Sequence, residues 1–272
     1  MRWGAGILCG LLATAWPAVA APDPCAIAAE QGLSQFPVSH LDQAVQCQLG
    51  SVVNDFSAAG SIGPIQTPIP LPLYIYLLDR PPLMASLLER LGLGAYQCAA
   101  REPNQFWVND GDGTQGLLSL VYQDETSRIY HIDGRHEGHV FPMVKAKAAV
   151  FMKIRPATTP EGYPAVQTSM MAYTRLDDSL LSGLVRVLRP LVGDAVTRKL
   201  SRGFEATNQL GAFIAQDRDR VAQQASLVPW LSISDLQTLI GWLYTVPQRA
   251  TVPPTAEAPA PSATPLPVQA LP

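Results

Sequence analysis

No Gly-x-Ser-x-Gly elbow, Walker loop or dinucleotide fingerprint occurs in the 272 residues, which disfavours the serine-hydrolase, P-loop and Rossmann chemistries built on those backbones. Charge is sparse, at 15% of residues, and basic side chains do not outnumber acidic ones, with 19 Lys and Arg against 22 Asp and Glu. Phosphate binding needs a basic face, so this balance argues against nucleic acid as a partner. After the first 21 residues no run of 18 apolar side chains remains, so no later stretch is suited to cross a bilayer as a helix. Histidine is rare as well. Three of the four lie in one nonapeptide, His131-Ile132-Asp133-Gly134-Arg135-His136-Glu137-Gly138-His139.

Both ends read as segments outside the fold. Residues 1–21 have the form of a secretory signal peptide: Arg2, a short apolar core from Ile7 to Trp16, then Ala18-Val19-Ala20 as a small-x-small exit. Removal of that leader would place the chain outside the cell or in the periplasm. The stretch 245–272 carries eight prolines and little charge. Proline removes backbone donors and favours extended backbone, so a disordered tail is expected there.

Three cysteines follow the leader: Cys25, Cys47 and Cys98. In an oxidising compartment Cys25 and Cys47, flanking one predicted helical hairpin, are expected to form a disulfide. Cys98 is left single in a strand, as a small buried hydrophobe.

The remaining chain divides into an N-terminal helical segment (22–56), a Gly-, Ser- and Pro-rich linker (57–72), a main domain (73–225) and a short C-terminal helix (226–244). Ser39 is the expected cap of a helix in the first segment. Leu73–Leu78 reads as a strand, and Pro81 and Pro82 open a helix with Leu83, Leu87, Leu88 and Leu91 on one stripe. Six strands follow: Tyr96–Ala100, Gln105–Asn109, Leu117–Gln123, Arg128–Asp133, Val140–Ile154 and Ala165–Tyr173. In the longest, Val150, Met152 and Ile154 point one way, onto a buried face, while Lys145, Lys147 and Lys153 point the other, onto a face at least partly wet. Asp177–Gln224 reads as helix with a kink or split near Pro190. Ser232 or Ser234 caps a last helix, on which Trp230 and Trp242 pack back.

The fold class is therefore α+β: a curved antiparallel sheet of about six strands packed on long C-terminal helices, with an N-terminal helical segment. Over about Leu73–Gln224 this element order resembles the START-like or polyketide-cyclase-like (SRPBCC) helix-grip family. That resemblance implies a sheet wrapped around a C-terminal helix with an apolar cavity between them. It also implies two short helices after the first strand, where the spacing here predicts one.

A cavity of that kind would take its lining from the aromatic and methionine side chains of the strands and later helices. The candidates are Trp107, Tyr122, Tyr130, Met143, Phe151, Met170, Phe204 and Phe213, although an ordinary packed core uses the same residue types. The leading expectation is an exported envelope protein that binds a hydrophobic or lipid-like ligand without catalysis and without a cofactor. The histidine cluster supports a second: His131, Asp133, His136 and His139 as ligands of zinc in an envelope hydrolase, with Asp133 or Glu137 as base. A polar, solvent-facing hairpin explains the same residues. A third is an assembly factor whose helices and proline tail contact other envelope proteins. Asn109–Thr114 superficially resembles a calcium loop but lacks its closing glutamate, and a tight hairpin turn accounts for it.

Overall fold

The computed structural model describes residues 25–27, 36–137, 143–176, 199, 202–203 and 205–247, and the statements below concern those residues. A 3-10 turn at Val38–His40 leads into α1 (Gln43–Val53), β1 (Ala58–Thr67), α2 (Leu71–Leu78) and α3 (Pro81–Arg90). Six strands follow: β2 (Gln97–Glu102), β3 (Gln105–Asn109), β4 (Thr114–Gln123), β5 (Ser127–His136), β6 (Val144–Thr158) and β7 (Pro164–Leu176). Residues 205–216 form α4, and α5 (Arg218–Ser226) and α6 (Ile233–Leu243) complete the order.

All seven strands join one curved, open antiparallel sheet in the order β1-β7-β6-β5-β4-β3-β2. β2 to β7 are a meander, in which each strand pairs with the next through a short connection. β1 adds to β7, so β1 and β2 occupy opposite edges. The chain between them, α2 and α3, must therefore cross a face of the sheet.

Alternation along the strands separates two packed faces. On the inner face Met152, Ile154 and Val166 are buried against α2, α3 and α4 through Leu73, Leu77, Leu87, Leu210 and Ile214. On the outer face Ile129, Ala149, Phe151 and Tyr173 are buried against Leu49, Val52 and Val53 of α1. The Phe36 ring sits 5.3 Å from that of Phe151, centroid to centroid. Cys25 and Cys47 are disulfide-bonded, with Cα atoms 4.0 Å apart, which pins the segment at Cys25 to α1. The lysine face of β6 is thus wet only in part. Lys145 is exposed, but Ala149 and Phe151 lie fully buried beneath α1. Truncation of Phe151 to alanine would cost about 3–5 kcal/mol, the usual range for a buried aromatic.

Several expectations are corrected. Leu71–Leu78 is a helix, not a strand: Pro72 sits in its first turn, where a missing amide costs nothing. Its residues alternate Leu or Ile with Tyr, and Leu73, Tyr74, Tyr76 and Leu77 are all buried, so periodicity could not distinguish the two forms. Two short helices therefore follow the first strand. The supposed linker 57–72 holds β1, an edge strand with a register shift between Ile62 and Ile65. Gly63 makes that irregularity possible, with φ +108° and backbone of Thr168 only 2.6 Å from where a Cβ would stand. Ser39 lies inside the 3-10 turn, and Asp42 occupies the α1 N-cap position. The helix expected to run to Gln224 stops before Asp217, whose carboxylate caps α5 through the Arg220 amide at 3.0 Å. Ser232 caps α6 in the same way, accepting from the Asp235 amide at 3.0 Å. Trp230 does not pack back and is 55% exposed, whereas Trp242 packs against the core. The break expected near Pro190 lies outside the described residues.

Candidate functional site: an apolar cavity between sheet and helices

A cavity of about 240 Å³ opens between the inner face and the helices. Its floor is Met152 of β6 and Met170 of β7, direct partners across the antiparallel pair. Tyr74, Leu77 and Leu78 of α2, with Met84 of α3 and Ile69 before α2, form one wall. Lys199, Gly203, Thr207 and Leu210 form the other, along the approach to α4 and on α4 itself. The helix comes close to the sheet edge because Gly211 has no side chain. A Cβ there would stand 2.5 Å from Thr67 Cγ2.

Three lining side chains carry polar atoms, and each of these is already bonded. Lys199 Nζ donates to Asp110 Oδ2 at 2.6 Å and to the Asp112 carbonyl at 3.1 Å. Thr207 Oγ1 donates to the Gly203 carbonyl at 2.9 Å, inside its own helix. The Tyr74 hydroxyl is hydrogen-bonded to Thr168; burial pushes its pKa up and that bond only partly offsets the rise. What remains to face a guest is carbon and sulfur. Two of the three methionines come from facing strands, where their flexible thioethers can adapt to a guest's shape.

Asp110 and Asp112 belong to the β3–β4 hairpin, the stretch that resembled a calcium loop. Asp110 Oδ1 accepts from the amides of Asp112 (2.8 Å) and Thr114 (2.9 Å), which sets the turn. Burial raises the Asp110 pKa, but Lys199 and the turn amides outweigh it and hold the carboxyl below its ordinary value. Lys199 and Arg202 both reach Asp112. These ion pairs clamp Lys199 and Arg202, just before α4, onto the hairpin, and so fix one wall of the cavity.

Beside Met152 on the inner face stands Arg128, its cross-strand partner. The side chain is 5% exposed, and its guanidinium donates to Asp79 Oδ1 (3.1 Å), to the Ser127 carbonyl (3.0 Å) and to the Asp124 carbonyl. Its Nε is buried with no partner among the described residues. Asp79 caps the C-terminus of α2, so this pair ties α2 to β5 rather than serving the cavity.

Of the side chains expected to line a cavity, Met170 does so. Tyr130 shares the inner face and packs with Val150, Ala172 and Met170; burial drives its hydroxyl pKa upward, with Arg128 opposing. Phe213 of α4 packs against the main core and does not line the cavity. Tyr122 and Phe151 lie on the outer face with α1. Trp107 pairs with Leu117, which pairs with Asp133, and so also lies on the outer side. Met143 stands 47% exposed before β6, and Phe204 lies outside the described residues. Tyr74, Leu77 and Leu78 escape sequence reasoning because α2 reads as a strand, and Met84 escapes it because it lies off the leucine stripe of α3, on the side that faces the cavity. Alternation with Val150 and Ile154 was the signal that could have selected Met152 over Phe151.

The histidine cluster is divided by its strand. His131 and Asp133 face outward, whereas His136 pairs with Val144 on the inner side. Five residues of strand place His131 and His136 about 17 Å apart along β5. Gln48 Nε2 donates to His131 Nδ1 at 3.1 Å, and burial lowers the His131 pKa, with Lys147 adding to the fall and Asp133 opposing it. His136 Nδ1 is 3.1 Å from Thr114 Oγ1, and Glu137 pairs with Arg135 at 3.3 Å. His139 lies outside the described residues. Among the described residues no three His, Cys, Asp or Glu side chains converge on one point. Cys98 is half-buried and free, with burial pushing its pKa up to about 11, so it is a thiol rather than a thiolate nucleophile. No helix among the described residues is long and apolar enough to cross a membrane.

No protein-family profile matches the chain, and no curated protein matches it. Among solved structures it is similar to a conserved protein from Geobacillus kaustophilus, at 8% identity and TM-score 0.40, over 57% of this chain and 93% of that one. It is similar to Ara h 8.0201, at 12% identity and TM-score 0.34, over 57% and 99%. An uncharacterized protein from Rhizobium leguminosarum is similar at 14% identity and TM-score 0.30, over 57% and 97%.

Proposed function

We propose that the protein is an exported, non-catalytic carrier that holds an uncharged hydrophobic or lipid-like group between its sheet and its later helices. One observation carries the reading: a cavity of about 240 Å³ whose polar lining side chains are all bonded within the protein. A buried charge on the guest would find no free counter-charge among the described lining residues, and an unpaired buried charge is strongly disfavoured. Apolar surface, by contrast, gains about 25 cal/mol for each Å² removed from water.

The volume bounds the guest. An engineered apolar cavity of about 150 Å³ in another protein stays dry and takes benzene. The enclosed part here would be somewhat larger, a substituted ring or a short hydrocarbon segment. Affinity is helped by preorganisation, because Lys199, Arg202 and the hairpin carboxylates set the wall before the guest arrives. The leader pattern of residues 1–21 and the Cys25–Cys47 disulfide support placement outside the cytoplasm. The resemblance to the START-like helix-grip family belongs to the same proposal.

Native mass spectrometry of the purified protein, followed by organic extraction, tests it. A stoichiometric apolar adduct released by solvent is expected. Protein that carries none, and binds no uncharged apolar probe on titration, would remove the reading.

A further inference from the structure

The turn joining α5 to α6 is built to display apolar side chains outward. Of the five large apolar side chains exposed among the described residues, three fall in this one turn or at the first residue after it: Leu227 (54%), Trp230 (55%) and Ile233 (76%), the last opening α6. They recur at steps of three. Of the residues between them, Val228 is buried and Leu231 packs on the main core, while Pro229 and Ser232 are exposed. Backbone bonds hold this division in place: Leu227 to Gln224 O, Val228 to Ala225 O and Leu231 to Val228 O, at 3.1–3.3 Å. The exposed set is therefore held on an ordered turn.

From Val221 to Ser234 the chain carries no ionisable side chain. Arg90 of α3 donates to the Leu227 carbonyl at 2.7 Å and so sets a guanidinium at the turn, while Asp235, the first carboxylate after it, is paired with Arg80 at 3.5 Å. Apolar side chains at the tip, an indole beside them and a guanidinium at the base match the order of chemistry met on entering a bilayer, from anionic headgroup to acyl chain.

We infer that the α5–α6 turn is a membrane-docking tip that inserts Leu227, Trp230 and Ile233 into the outer layer of an anionic phospholipid surface, with Arg90 at headgroup depth. The site is distinct from the cavity and does not depend on it. The turn is nevertheless linked to the cavity wall, since α6 bonds to α2 through Tyr76 and the Asp235 carbonyl at 2.9 Å.

Flotation of the full purified protein with vesicles of phosphatidylglycerol and phosphatidylethanolamine tests the inference. The protein should float with the vesicles, and its tryptophan emission should shift to the blue. The Leu227→Ser/Trp230→Ser/Ile233→Ser variant should lose binding on the order of tenfold or more. Should that variant fail to fold, Ile233→Ser alone, at the most exposed of the three positions, still must weaken binding. Met143→Ser, exposed elsewhere, must not. Absence of vesicle binding by the unaltered protein overturns the inference, as does equal binding by the triple variant. So does a dimer that the triple variant abolishes while vesicles are ignored, which would make a second copy the occupant. Loss of the cavity ligand with flotation intact would leave this inference standing and remove only the carrier reading.

Discussion

Substitution of Gly203 separates a cavity that accepts a guest from a merely exposed groove. Gly203 lines the cavity, is helical, and has no atom within 4 Å of where a Cβ would stand. Gly203→Ala should stabilise the protein by about 1 kcal/mol, the helical cost of glycine. Gly203→Leu adds three carbons beyond that β-carbon, and at about 0.8 kcal/mol for each one buried in the cavity they contribute about 2.4 kcal/mol on top of the helical gain, for a total near 3 kcal/mol. At about 2–4 °C per kcal/mol for a chain of this size, melting should rise by roughly 6–12 °C. A guest at a hundred times its Kd would stabilise the unaltered protein by about 2.7 kcal/mol. Gly203→Ala should keep that response, and Gly203→Leu should lose it because its own side chain occupies the space. Thermal melts with and without an uncharged apolar probe read both effects. A Gly203→Leu variant that matches Gly203→Ala and still binds the probe would refute the reasoning, because the added carbons would then lie in solvent.

Acid should loosen the hairpin clamp. The Asp110 pKa is depressed in the fold, so its contribution is present above the unfolded value of about 3.9 and is lost as pH falls through the folded one. Asp110→Asn should cost about 1–2 kcal/mol at neutral pH in denaturant titration, and should flatten the stability slope below about pH 4. His131 acts in a different window. Its folded pKa lies below the unfolded value of about 6.5, so stability should fall as pH drops from there, and His131→Gln should abolish that slope in midpoints at pH 7.5 and 5.5. Gly211→Ala should destabilise by about 1–3 kcal/mol through its contact with Thr67, and Thr67→Ser, which removes the contacting methyl, should recover part of the loss in the same melts.

The strands β2 to β7 were legible because hairpin chemistry and period-two alternation agree there, as at Asp110–Gly113 and from Val150 to Ile154. β1 was not, because Gly60, Gly63 and Pro64 read as a connector, and only an edge position with an irregular register lets such a segment pair. α2 was misread because a helix buried on most sides has no apolar stripe, so Leu71–Leu78 looks the same as a core strand. The site suffered from both errors. Half of its wall comes from α2, and its other wall includes Lys199 and Thr207, whose polarity is cancelled only by partners distant in sequence or one helical turn away. Strand parity alone, applied to Met152 and Phe151, would have assigned one to the cavity side and the other to the face under α1. The histidine cluster drew attention by density along the chain, yet a strand sends neighbours to opposite faces, and His131 and His136 show that separation.

The central claim is that the space between Met152, Met170, Tyr74 and Leu210 is apolar and open to a guest. A crystal of the protein pressurised with xenon tests it directly, since dry apolar cavities take up xenon and polar ones hold ordered water. Xenon bound against those four side chains is the expected result. A chain of ordered waters bonded to Lys199, Thr207 and Tyr74 in its place would contradict it.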